Sequence, residues 1–129
     1  MRPLLIGAVA ILALGACAPQ TVVPVESEEV VVPLAFPDAF SQVANVINTQ
    51  PFPSDSGGWV IVRSDQVGGF VSAELSGTRW ALFQGWVPYR AVVSVAFIDR
   101  GRETALSISS NRHEEATKLV RAIRERLGI

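Results

Sequence analysis

An α+β fold, with an antiparallel sheet of four to five strands and an N-terminal and a C-terminal helix packed on one face, is what this chain predicts. Three observations carry the prediction. Apolar residues recur at helical spacing near both ends of the segment from about Leu34 to Ile129. Between them lie short runs rich in Val and Ile, each bounded by Gly and Asp turns. The resulting order is helix, hairpin, hairpin, helix, which pairs neighbouring strands antiparallel and leaves one sheet face for the helices.

The first helix is expected over about Pro37 to Thr49. Pro37 suits a first helical turn, Asp38 sits at the positive end of the helix dipole, and Phe40, Val43, Ala44 and Ile47 form one apolar stripe. Pro51, Pro53, Ser54, Asp55, Ser56, Gly57 and Gly58 then make a loop. Trp59–Arg63 and Phe70–Leu75 read as a hairpin around Ser64–Gly69, and Arg90–Ile98 with Glu103–Ser109 as a second around Asp99–Arg102. In the last strand Thr104, Leu106 and Ile108 alternate with Ala105, Ser107 and Ser109, as in a strand with one wet face. The closing helix takes Asn111 as its cap, with Glu114 reaching back. Its stripe is Ala116, Leu119, Val120, Ile123 and Leu127, and Gly128 stops it. Arg121, Arg124 and Arg126 fall near its carbonyl end, where positive charge is favoured and solvates the wet side.

The stretch Ser76 to Tyr89 is longer than a tight connection between strands. It gathers Trp80, Phe83, Trp86 and Tyr89 between Gly77 and Pro88, the side chains that anchor partner contacts. Large aromatics are packed more often than displayed, so the default expectation is that Trp80, Leu82 and Phe83 point inward from a further strand while Trp86 covers the sheet edge.

Ahead of the domain, Leu4 to Leu14 is an apolar run behind Arg2, shorter than the roughly 18 to 20 residues that span a bilayer. Its length is that of a removable export leader. The run ends in Leu14, Gly15, Ala16 and Cys17, which resemble the lipobox of bacterial lipoproteins. The resemblance implies that the Cys17 thiol receives diacylglycerol and that the bond between Ala16 and Cys17 is cut. The new amino group is then acylated. Residue 18 is Ala rather than Asp, which in that family implies the outer membrane, facing the periplasm, with the periplasmic side of the inner membrane as the alternative. Cys17 is the only cysteine, so no intramolecular disulfide competes for it. The competing reading makes Cys17 a small apolar residue of an ordinary leader or membrane helix. The expected division is a leader over 1–16, a lipidated Cys and Pro/Glu-rich tether over 17–33, and the domain over 34–129. The Val-rich end of the tether, 30–34, reads equally well as an edge strand. The acidic residues Glu26, Glu28 and Glu29 would discourage adhesion to an anionic leaflet.

Phe36–Phe40 followed by Trp59–Gln66 and Gly69–Glu74 is similar to small helix-grip domains of envelope lipoproteins of the BamC type. That likeness covers about a third of the chain and implies a role in envelope assembly complexes. The residues themselves offer little chemistry. Lys and Arg number 11 against 12 Asp and Glu, so no basic surplus marks a nucleic-acid partner. His113, the sole histidine, has no second His or Cys for a metal and lies beside Glu114 and Glu115 at a helix start. A hydrolytic site would require His113 to meet Asp65 or Asp99 in a cleft. Gly57–Gly58 and Gly68–Gly69 lack the lysine and following helix of a phosphate cradle. The expectation is a non-enzymatic, membrane-anchored interaction module with no cofactor beyond the diacylglycerol and N-acyl lipid on Cys17. Its partners would be the membrane and another envelope protein. The alternative is a carrier for a lipid or small hydrophobic ligand in a cleft between helices and sheet.

Overall fold

The computed structural model describes residues 26–129. The leader, the Ala16–Cys17 junction and residues 18–25 lie outside the described residues. Five strands and two helices follow in the order β1 (Glu26–Val32), α1 (Phe36–Thr49), β2 (Ser56–Asp65), β3 (Phe70–Ala81), β4 (Gly85–Asp99), β5 (Thr104–Ser110) and α2 (Glu114–Leu127). All strand pairs are antiparallel and the sheet order is β1-β5-β4-β3-β2. Both helices cover one face, as the sequence predicts.

The core is a single cluster. Period two puts Val71, Ala73 and Leu75 of β3, Ala91, Val93, Val95 and Phe97 of β4, and Leu106 and Ile108 of β5 on the covered face. From the helices, Ala39, Phe40, Val43, Val46 and Ile47 meet Ala116, Leu119, Ile123 and Leu127 above that surface. Burying each of the Val, Leu, Ile and Phe side chains among them contributes roughly 1.5–3 kcal/mol. The opposite face is open to water and mixed: Ser72, Ser94, Ser107 and Ser109 share it with Val31, Val92 and Ile98, and the Ser72 and Ser94 hydroxyls meet across β3 and β4 at 2.9 Å. This is the wet face that the alternation in β5 anticipated.

Of the segment 30–34 left open between tether and strand, 30–32 are strand and Pro33 and Leu34 form the bend after it, and the strand reaches further back than expected. β1 pairs with β5 from Glu26 opposite Ser110 to Val32 opposite Thr104. Thr104, fully buried, donates its hydroxyl to the Leu34 carbonyl at 2.8 Å and fastens the turn that follows. Glu28 accepts a 2.7 Å hydrogen bond from Arg124 of α2. The acidic residues assigned to the tether therefore belong to the sheet edge, and residues 18–25 between Cys17 and β1 carry no charge. Glutamates on an exposed edge also discourage strand addition by another chain.

The cap of α2 differs too. His113, not Asn111, is the N-cap, its Nδ1 accepting from the Glu115 amide at 3.1 Å. Asn111 is used elsewhere: its side-chain amide donates to the Arg90 carbonyl at 2.8 Å, and its oxygen accepts from Val92 N at 3.2 Å. It thereby continues the ladder of β4 where β5 stops. At the other end Gly128, with φ +74°, closes α2 as expected, and Ile129 N donates to the Arg124 carbonyl at 3.0 Å.

Candidate functional site

The stretch 76–89 is neither a loop nor an extra strand. β3 and β4 simply continue through it, paired to Ala81 opposite Gly85. β2 starts at Ser56 opposite Gly77, and β5 ends at Ser110 opposite Val93. From Thr78 to Pro88 the chain is therefore a two-stranded ribbon that projects past both neighbours. At its end Trp80 and Trp86 face each other on the wet side, rings 5.7 Å apart at 71°. Leu82 and Phe83 form the turn, 74% and 96% exposed, and the two Trp residues are 61% and 66% exposed.

This corrects the default expectation. Trp80, Leu82 and Phe83 do not point into the core, and Trp86 covers no edge. The reason is geometric: the helical layer ends near the level of Tyr89, so beyond it neither face of the ribbon has anything to pack against. Isolated two-stranded ribbons are marginal in water. A cross-strand aromatic pair contributes roughly 0.5–1.5 kcal/mol, which accounts for Trp80 and Trp86 as partners. It does not account for the turn. Leu82 and Phe83 bury almost nothing, and Phe83 adopts φ +71°, a left-handed backbone that favours glycine. Gln84 N donates to the Ala81 carbonyl at 3.0 Å and holds that geometry. Replacing Phe83 by Gly should therefore raise stability by up to about 1 kcal/mol, read as a higher urea midpoint. A lower midpoint would show that the ring packs on the domain.

Tyr89 does not join this surface. It lies at the ribbon's base, on the helix side, where its ring stacks on His113 at 5.0 Å and 8° with the Arg79 guanidinium 5.3 Å from its centroid. Its hydroxyl donates to Asp55 at 2.6 Å, and Arg79 in turn reaches Glu114 at 3.8 Å. Gly77 makes room for this contact, since a Cβ there would lie 2.6 Å from the Tyr89 hydroxyl and 2.7 Å from the Asp55 carbonyl. The cluster ties the ribbon to the 50–55 loop and to the start of α2. Partial burial, then the Asp55 hydrogen bond and charge, raise the Tyr89 phenol above its ordinary 10.0. The protonated phenol is the form the fold prefers. Its stabilising contribution is complete below the unfolded value and is lost as pH rises through the higher folded one. Tyr89 is the only tyrosine, so ultraviolet titration reads it alone. Asp55→Asn should bring its titration down towards 10.0, and no change would remove Asp55 as a cause.

His113 is thus a cap and a stacking partner. Asp65 accepts from the Gly68 amide at 2.8 Å and Asp99 from the Gly101 amide at 2.9 Å, each inside a turn at the opposite end of the sheet. The three side chains are not brought together. Among the described residues, no group of three or more His, Cys, Asp and Glu is placed to hold a metal, and no helix is long and apolar enough to cross a membrane. An open groove of about 350 Å³ lies between α2 and the β1–β5 edge, with Ile108, Val120 and Ile129 on its floor and Glu28, Arg121 and Arg124 at its rim.

Sequence reasoning identified Trp80, Phe83 and Trp86 as candidates but passed over Leu82, which completes the tip. A signal was present: from Leu75 to Ile98 the chain holds no Asp or Glu and only Arg79 and Arg90 as charges.

No protein-family model matches the chain, and no curated protein matches its sequence. Solved structures match its fold loosely. A protein from Thermus thermophilus is 10% identical over 81% of this chain and 97% of that one, with a TM-score of 0.42. A START superfamily protein from Mycobacterium smegmatis is 11% identical over 81% of this chain and 91% of that one, with a TM-score of 0.38. The Zhui aromatase/cyclase from Streptomyces sp. R1128 is 10% identical over 81% of this chain and 86% of that one, with a TM-score of 0.35.

Proposed function

We propose that the chain is a non-enzymatic lipoprotein of the bacterial envelope, held by acyl chains on Cys17 at the periplasmic side of the outer membrane, whose domain makes contacts through the tip of the β3–β4 ribbon. The observation that carries the contact reading is the tip itself. Trp80, Leu82, Phe83 and Trp86 are large, apolar and exposed on a projection whose strained turn costs stability. The anchoring reading rests on Leu14-Gly15-Ala16-Cys17 behind a leader-sized apolar run. A role beside other envelope components fits the similarity of 36–40, 59–66 and 69–74 to BamC-type domains.

Site-specific photocrosslinking in a Gram-negative host tests the contact reading. A probe at position 86 should form discrete adducts, to protein or to lipid. A probe at Val67, 99% exposed on the β2–β3 turn at the far end of the sheet, should form none. Equal labelling from both positions, or none from 86, would remove the tip as the working surface.

The carrier reading has one observation in its favour, the groove floored by Ile108, Val120 and Ile129. Native mass spectrometry of the purified protein separates the two readings: a lipid or small hydrophobic ligand retained without a covalent bond would support the carrier.

A further inference from the structure

We infer that the partner of the ribbon tip is the bilayer that holds the protein's own acyl chains, so that the domain is fixed to one membrane at two points. The inference takes the anchoring of Cys17 from the reading above and adds a geometry that the reading does not contain. Glu26 starts β1 opposite Ser110, and Ser110 lies opposite Val93. The chain arriving from Cys17 therefore enters the sheet at the end from which the ribbon projects, and β1 runs away from it. Beyond that level β4 extends eight residues further, from Val93 back to Gly85, a projection of roughly 26 Å at about 3.3 Å per residue. Nine residue steps separate Cys17 from Glu26, a reach of at most about 30 Å. When the segment 18–25 is drawn out, the tip and the acylated Cys17 arrive at the same plane. Lateral offset is immaterial, because an acyl anchor diffuses within its leaflet.

The chemistry of the tip selects lipid as the occupant. Trp, Phe and Leu on a convex projection match the boundary between headgroups and acyl chains, where an amphipathic indole is favoured. No carboxylate lies between Leu75 and Ile98 in the sequence, and the two arginines behind the aromatics are paired, Arg79 with Glu114 at 3.8 Å and Arg90 with Glu74 at 3.7 Å, so the exposed aromatics rather than a positive patch select the occupant. The 18–25 segment is uncharged, and the glutamates that would repel an anionic surface are set back in β1, Glu28 already paired with Arg124. A protein partner would instead have to supply a pocket for a strained, protruding turn.

The test uses the full chain purified from host membranes and reconstituted into phosphatidylethanolamine–phosphatidylglycerol vesicles containing bromine-labelled acyl chains, with its intact mass read on the same sample. The domain's three tryptophans are Trp59, Trp80 and Trp86, and Trp59 lies in the core. Emission from Trp80 and Trp86 should shift to the blue and fall about twofold or more on bromination. Leu82→Asp with Phe83→Asp should abolish both changes while the protein stays on the vesicles. Both residues are exposed, so the fold survives the exchange, checked by a urea midpoint no lower than that of the parent chain. Acylated, vesicle-bound protein whose Trp emission is unmoved by bromine overturns the tip insertion and leaves the anchor intact. Unacylated protein that is still quenched keeps the insertion and overturns the anchor, and absence of both overturns both. Crosslinking from position 83 to a protein in place of lipid would likewise overturn the inference.

Discussion

Leu106→Ala should lower the unfolding free energy by about 3 kcal/mol, within the 2–5 kcal/mol spread of buried Leu truncations. Leu106 is fully buried at the middle of β5, which is flanked by β1 and β4, and it pairs with Val30 on one side and Phe97 on the other. Its side chain points into the layer shared with α1 and α2, where Val43, Ile47, Leu119 and Ile123 are also sealed from water. Neighbours hydrogen-bonded into a sheet cannot collapse into the space left by the lost carbons, so both the transfer term and the cavity term apply. A domain of this size has a total stability of about 5–15 kcal/mol, so the loss is a large fraction of it. Ser107→Ala, one residue along on the wet face, should change stability by less than about 0.5 kcal/mol. Urea unfolding reads both: the Leu106 midpoint should fall with the slope unchanged. Equal effects at 106 and 107 would contradict the assignment of faces.

Cys17→Ser should have an all-or-none effect. The resemblance to lipoproteins places diacylglycerol transfer on the thiol ahead of cleavage, and a serine hydroxyl is a far poorer nucleophile than the thiolate. The variant should carry no lipid and retain residues 1–16, migrating as the larger precursor, and incorporation of an alkyne-bearing fatty acid should drop to background. Acyl attachment contributes about 0.8 kcal/mol per buried methylene, so two or three chains on one residue give stable anchoring. Unchanged labelling in Cys17→Ser would place the lipid on another residue.

The helices were legible because each buries one face of a 3.6-residue repeat, and those faces are Phe40, Val43 and Ile47 in α1 and Ala116, Leu119 and Ile123 in α2. The strands were legible from turn residues and alternation. What escaped was tertiary. β1 carries three glutamates and is followed by Pro33, so local composition resembles a tether; only pairing with β5 makes it a strand. Asn111 is a good cap by type, yet the ladder beyond β5 claims it and His113 takes its place. The aromatics of the ribbon illustrate the same limit. Alternation assigns Trp80 and Trp86 to one face, but no local pattern says how far the strands outrun the helices that would cover them. The absence of acidic residues from Leu75 to Ile98 was the usable signal.

The account depends on the protein being held at a membrane by its own N-terminus. Intact mass of the wild-type protein, extracted from the envelope of a Gram-negative host, measures this most directly. The expected species begins at Cys17 and carries the added mass of diacylglycerol and an N-acyl chain. A species that retains Met1 to Ala16, or that begins elsewhere with an unmodified thiol, would contradict it.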